Sequence, residues 1–248
     1  MSERFSRLLP GTAHDLSAAD LAAAVPPPRL PADRPWLALN MIATADGRAT
    51  VAGRTGPIAN RADYELFHAL RTRVDAVMVG AETVRVEGYG RVVPDAGNRE
   101  ARVRAGLVAD PVAVVLTRTV DVSASVGMLA APENRVIVVT PSPDAELEAT
   151  EASVEYLREP DLATAMRRLR AEHGVRSVLC EGGPGLNGHL IPAGVVDELH
   201  LVIAPKLAGG RDPLTVLTAD ALVPVRDLEL RSVHESGGYL FAPQVTSP

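Results

Sequence analysis

Cysteine is nearly absent from this chain, which has one, Cys180, among 248 residues. A single thiol excludes an internal disulfide and a thiolate cage around zinc, and it makes a reducing, cytoplasmic setting the expected one. Aromatic residues are scarce too, at 3% against 46% hydrophobic residues overall, so the core has to be built from alanine, valine and leucine. No apolar run is long enough to span a bilayer, and the first residues lack the charged and apolar regions of a secretion signal. A basic excess is missing as well. The net charge of -6 and a pI near 5.5 argue against nucleic acid as the main partner. The six histidines are scattered without ligand spacing, and no H-E-x-x-H occurs, so no metal site is expected. No G-x-S-x-G elbow is present, which disfavours a serine hydrolase.

What the chain does have is glycine in telling places. The residues Val175 to Leu179 read as a buried strand, and the run Glu181-Gly182-Gly183-Pro184-Gly185-Leu186-Asn187-Gly188 follows them into a short helix-compatible stretch. A strand that breaks into glycines and then opens a helix presents free backbone N–H groups and the positive end of a helix dipole, an arrangement that holds phosphate. Gly183, Gly185 and Gly188 spell G-x-G-x-x-G, the Rossmann fingerprint. That fingerprint belongs in the first βα turn with an acid about 20 residues on. Here it lies late in the chain, and Asp197 and Glu198 come too soon. A phosphate-binding turn in another α/β fold is the better reading, with a ligand-free glycine turn as the plain alternative.

A first segment, residues 1–34, reads as an arm outside the core, stopped by Pro26-Pro27-Pro28, ahead of a single domain at 35–248. From there strands and helices alternate. Strands are expected at 36–43, 76–79, 112–116, 136–140, 177–179, 198–204, 228–234 and 239–242, and helices at 61–73, from 81, and at 161–173. Residues 95–105 and 141–150 read as exposed loops or short surface helices. This order predicts an α/β fold with a mixed, mostly parallel central sheet and an antiparallel C-terminal edge.

Two further stretches carry polar side chains to strand ends, where α/β folds bind ligands. Asn40, Thr44 and Asp46 end an apolar strand at an Asp-Gly turn. Gly80 starts a second strand-glycine-helix turn that can face the one at Gly182 and clamp an extended cofactor. Arg71 ends one helix and Arg91 follows Gly88-Tyr89-Gly90, so the two could form a fork for a substrate anion, although a solvated surface charge is the commoner fate.

Taken in order, T-A-D-G at 44–47, A-V-M-V-G-A-E-T-V at 76–84, E-G-G-P-G-L at 181–186 and V-D-E-L-H-L-V-I-A-P at 196–205 resemble the reductase domain of bacterial riboflavin biosynthesis. The resemblance spans roughly residues 36–242. It implies a dihydrofolate-reductase-like three-layer fold and an NADPH-dependent, usually dimeric reductase of a ribosylaminouracil phosphate, a small anionic heterocycle. Pro57, Gly80, Thr83, Glu87 and the turn Gly182, Gly183, Pro184, Gly185, Leu186, Asn187 fall at cofactor positions. Arg118, after a strand, is placed for the 2′-phosphate of NADPH. Asn40, Thr44, Thr55, Arg71, Arg91 and Glu181 fall on the substrate side. Glu181, and after it Asp46, are the candidates to assist proton movement, with Asp46 alternatively bracing its own loop.

The departures are informative. The H-x-E and P-C-x-x-C of the deaminase that precedes this domain in bifunctional relatives are missing, so a stand-alone reductase is expected. Asn40 stands where bacterial relatives usually carry Lys, Thr44 replaces Ser, Glu87 replaces Asp, and Gly88-Tyr89 replaces an acidic-proline pair. That altered loop keeps dihydrofolate or another pterin open as substrate, and a non-catalytic NADPH-binding regulator is the rival class. The alternating Leu199, Leu201 and Ile203 of a late strand suggest a covered face in a homodimer.

Overall fold

The computed structural model describes residues 2–211 and 214–246. Two short strands, β1 (Phe5–Leu9) and β2 (Ala13–Leu16), and a one-turn helix, α1 (Ala18–Ala22), come first. Then follow β3 (Trp36–Thr44), α2 (Arg61–Arg71), β4 (Ala76–Gly80), α3 (Ala81–Glu87), α4 (Ala96–Arg104), β5 (Val112–Leu116) and β6 (Arg135–Thr140). After these run β7 (Ser153–Arg158), α5 (Leu162–His173), β8 (Ser177–Cys180), α6 (Pro184–Leu190) and β9 (Glu198–Ala204). Strands β10 (Leu228–Leu230), β11 (Val233–Ser236) and β12 (Tyr239–Thr246) complete one sheet.

The sheet runs β2-β1-β11-β12-β9-β3-β8-β4-β5-β6-β7, with β10 added against β12. From β9 to β7 every neighbouring pair is parallel; from β12 outward every pair is antiparallel. This is the expected mixed α/β sheet. Parallel strands covered on both faces read as continuous apolar runs, and β3 does: only Asn40 in it falls short of full burial. Helices cover both faces. Leu66 and Leu70 of α2 and Val84 of α3 pack with Ile42, Val77 and Phe241, while Met166 and Leu169 of α5 and Leu190 of α6 pack with Leu39, Met78 and Val178. Helix α2 starts where Asn60 accepts a hydrogen bond from the Asp63 N–H, and α5 stops at Gly174, whose φ of 69° suits glycine. No helix among the described residues is long and apolar enough to cross a membrane.

The expected arm is instead part of the sheet and core. β1 hydrogen-bonds to β11, and Phe5 is buried edge-on against Phe241 with ring centroids 5.1 Å apart. Ala18, Ala22 and Val25 join the same core, so no boundary falls at residue 35. The reason is physical: an unpaired β11 would leave an open edge, and β1 satisfies it. The single strand expected at 228–234 is two strands, because Pro243 of the facing β12 has no N–H to carry the ladder through. Strand β7 was not expected, and the stretch 95–105 forms the ordered helix α4 around a fully buried Arg102.

Phe5→Ala should therefore lower unfolding stability by about 3 kcal/mol or more, as for other buried aromatics. Urea unfolding checks this, and a loss below about 1 kcal/mol would return residues 1–34 to the status of a dispensable arm.

Candidate active site

Three parallel strands, β3, β4 and β8, end side by side, and their turns meet. The Gly80 N–H donates to Gly182 O at 2.8 Å, and the Glu181 N–H donates to Met78 O at 2.9 Å, so the turns after β4 and β8 are stitched together. Gly182 has a φ of 85°, and a side chain on it would begin 2.9 Å from Met41 Sδ. A Cβ on Gly183 would sit 2.8 Å from Thr83 Oγ1, which fixes how closely α3 and the glycine turn approach. Around Gly185 there is open space, whereas a Cβ on Gly188 would collide with the Thr218 carbonyl. The four glycines thus do three jobs: contact at 182 and 183, room at 185 and packing at 188. Both α3 and α6 begin without a side-chain cap, at Gly80 and Gly183, so first-turn N–H groups point out uncovered. Leu186 lies against Gly80 and Pro184 opens α6, as the spacing implies.

The loop after β3 is held by Asp46. Its carboxylate accepts from Thr44 Oγ1 and from the N–H groups of Gly209 (2.6 Å) and Ala208 (3.2 Å). The Thr44 hydroxyl first, then those N–H groups, hold its pKa down at about 2. Asp46 therefore braces its loop and stays ionised, which makes it an acceptor and not an acid at neutral pH. Thr55 donates through its N–H and its hydroxyl to Glu87 Oε1 at 2.9 and 3.1 Å, tying the following loop to the end of α3. Exposed Pro57 is fixed through its carbonyl, which accepts from Lys206 Nζ at 2.9 Å.

Arg71 and Glu181 form a buried, bidentate pair. Nε donates to Oε1 at 2.6 Å and Nη2 to Oε2 at 2.7 Å, with side-chain exposures of 6% and 1%. Arg71 Nη1 donates to Val92 O, the Tyr89 hydroxyl donates to Glu181 Oε2 at 2.7 Å, and the guanidinium stacks over Phe67. Burial, and then the charge of Glu181, push the Tyr89 phenol well above its usual range, so it remains a donor. The expected fork does not form, because Arg91 instead binds Asp110 at 2.6 and 2.8 Å and Glu133 at 3.2 Å. Arg71 is not a free anion receptor, and Glu181 is not a free acid.

Asn187 is also turned inward, its side-chain amide donating to Val216 O at 2.8 Å, so only its backbone belongs to the turn. Arg118 is exposed two residues past β5, at the same sheet end as Gly80, which pairs with Leu116. Asn40 pairs in register with His200, and the next step beyond Leu39–Cys180 sets it beside Glu181. Sequence reasoning missed Phe67 and the closing role of Tyr89. Phe67 lies four residues before Arg71 on one helix face, a spacing that pairs side chains, and this was the available signal. Cys180 is buried and its thiol is pushed up to about 12 by burial, so it is no nucleophile.

Tyr89→Phe should leave Glu181 one donor short and lower stability by about 1–2 kcal/mol. Thermal unfolding of the variant checks this, and no change would show that Arg71 alone satisfies Glu181.

Comparison with known proteins identifies the family. Residues 35–238 match the RibD C-terminal domain. A 2,5-diamino-6-ribosylamino-4(3H)-pyrimidinone 5′-phosphate reductase from Methanothermobacter thermautotrophicus is 31% identical over 82% of this chain and 94% of its own. The enzyme of the same name from Aquifex aeolicus is 25% identical over 79% of this chain and 88% of its own. The crystal structure of a pyrimidine reductase-like protein from Corynebacterium diphtheriae shares the fold, with a TM-score of 0.74 at 24% identity over 94% of this chain and 100% of that one. With the glycine turns, the Asp46 loop and the late β9 motif all inside the matched span, the chain belongs to the RibD C-terminal domain family.

Proposed function

We propose that this chain is a reductase of riboflavin biosynthesis that uses NADPH to reduce the ribosyl group of a ribosylaminopyrimidine phosphate. The observation that carries this reading is the pair of uncapped helix starts at Gly80 and Gly183, stitched side by side. A pyrophosphate needs N–H donors, room and a positive field, and the turn offers all three. The bare face of Gly185 fits such a group, opening onto free space, while Gly183 lets the turn close against Thr83. The turn from Gly182 to Asn187, with Thr83, would hold the pyrophosphate, while Pro57 and Glu87 border the cofactor. Exposed Arg118 would meet the 2′-phosphate. When bound, NADPH supplies the hydride.

The relatives' named activity supports the substrate class, and their name covers a diaminopyrimidinone phosphate. In the ring-opened imine form, the sugar carbon gains the hydride and the nitrogen gains a proton, leaving a secondary amine. Asn40, Thr44, Thr55 and the Arg71–Glu181 pair would line the substrate side. Asp46 is ionised and Glu181 is matched by Arg71, so these residues act by orientation and charge and water supplies the proton. A homodimer fits β9, where Leu199, Leu201 and Ile203 stay half-buried and Leu240 continues the stripe beside Ile203. The single buried cysteine fits a reducing cytoplasm.

The direct test is loss of reduced-nicotinamide absorbance on mixing the chain and NADPH with the ribosylamino-diaminopyrimidinone phosphate or with its aminouracil counterpart. Turnover with either supports the reading; binding of NADPH without turnover on both would leave a regulator. Gly183→Val should weaken NADPH binding by roughly tenfold or more, about 1.4 kcal/mol, with circular dichroism unchanged. Normal binding by that variant would make the turn structural only. Arg118→Ala should narrow the preference for NADPH over NADH by about 1–3 kcal/mol, the scale of a hydrogen bond to a charged group. Equal affinity for the two cofactors in the unaltered chain would refute this assignment.

A further inference from the structure

A cavity of about 280 Å³ is lined by α2 and by none of the glycine-turn residues. Its walls come from α1, α2 and the strands β3, β9, β12 and β11, and it opens to the surface. Its walls are mostly apolar, from Leu21, Val25, Leu66, Leu70, Val202 and Phe241. An apolar cavity of about 150 Å³ accepts benzene, so this one has room for two fused rings.

Two basic side chains in the wall, Arg7 and His200, are short of partners, and they share it with the carboxylates of Glu198 and Asp20 and the Asn40 amide. Arg7 pairs across β1–β11 with His234, which in turn pairs with Phe241, so Arg7 is held at the cavity by sheet register. Arg7 Nε is buried and has no hydrogen-bond partner among the described residues. His200, 8% exposed, also lines the space, and its buried Nε2 makes no hydrogen bond among the described residues. Glu198 Oε1 is 3.2 Å from that nitrogen but makes no hydrogen bond to it. Asp20, the other carboxylate at the rim, is engaged with the N–H and hydroxyl of Ser17. Burial, and then the Arg7 charge, lower the pKa of His234, which leaves Arg7 as the local cation. Exposed Arg231 adds a second positive group at the mouth.

We infer that this cavity is a small-molecule site, separate from the cofactor turn, for a flat, mostly apolar carboxylate whose anion meets Arg7 and whose rings lie between α2 and Phe241. Asn40 is the shared wall: it lines this cavity and stands beside Glu181, so an occupant lies one side chain from the substrate side.

The test is isothermal titration of the full chain with 2-naphthoate, using 2-naphthamide as the uncharged control of the same shape. Saturable one-site binding of naphthoate, retained in excess NADPH, is the expected result. Arg7→Met should weaken naphthoate by roughly tenfold, the scale of a lost charge-assisted bond, and leave naphthamide unchanged. Ala24→Trp, on the exposed side of the wall, should block both probes, with thermal unfolding reporting that each variant is folded. The absence of saturable binding, displacement by NADPH, or equal naphthoate affinity in Arg7→Met would each overturn the inference. Because NADPH binding and turnover are measured separately, failure here leaves the reductase reading standing.

Discussion

A guanidinium and a carboxylate buried side by side lose their water, and their attraction offsets that loss only when nearly every donor and acceptor finds a partner. Arg71 and Glu181 meet this condition by drawing in three other residues. The Val92 carbonyl, the Tyr89 hydroxyl and the Phe67 ring close the pair from the loop after α3 and from α2. Beneath it, Arg102 donates to the carbonyls of Arg71 and Val74, taking up acceptors that the end of α2 leaves open. Because Glu181 directly precedes the Gly182–Gly183 turn, the same network fixes where that turn sits over Gly80. The ion pair is thus a positioning element for the cleft, and its charges are not available to a ligand as isolated groups.

The parts of the site that were legible in the sequence are those that depend on residue type alone. Glycine was required at 182 and 183 because backbone and neighbouring side chains come too close for a Cβ, and glycine was what the sequence displayed. The Asp-Gly turn at 46 was likewise visible. What the sequence could not display is partnership. Arg71 and Arg91 look alike as arginines following helix or glycine. One is matched by Glu181, 110 positions away, and the other by Asp110. Asn187 sits in a motif that suggests contact with a ligand, yet its amide is needed to hold Val216. Short edge strands were the other blind spot: Phe5–Leu9 is five residues, carries an arginine, and becomes a strand because β11 needs a neighbour.

The sheet divides its labour at β3. On one side lie the parallel strands whose C-terminal turns converge on Gly80 and Gly182; on the other, β9 continues the parallel order and, beyond it, the antiparallel strands bring the first residues of the chain back to the core. Asn40, the one residue of β3 not fully buried, stands at that seam, between Glu181 and His200. A longer side chain there would have to enter one side or the other. An amide is short enough to leave space on both.

The lone thiol gives the molecule an unplanned property. Cys180 sits at the end of β8, with parallel neighbours on both sides and no exposure, and burial keeps it protonated to about pH 12. No alkylating reagent can reach it while the sheet is intact, and no second cysteine competes for the label. Its labelling rate therefore counts the openings of the central strands themselves, a clock for the least frequent motions of the fold set beside its glycine turn.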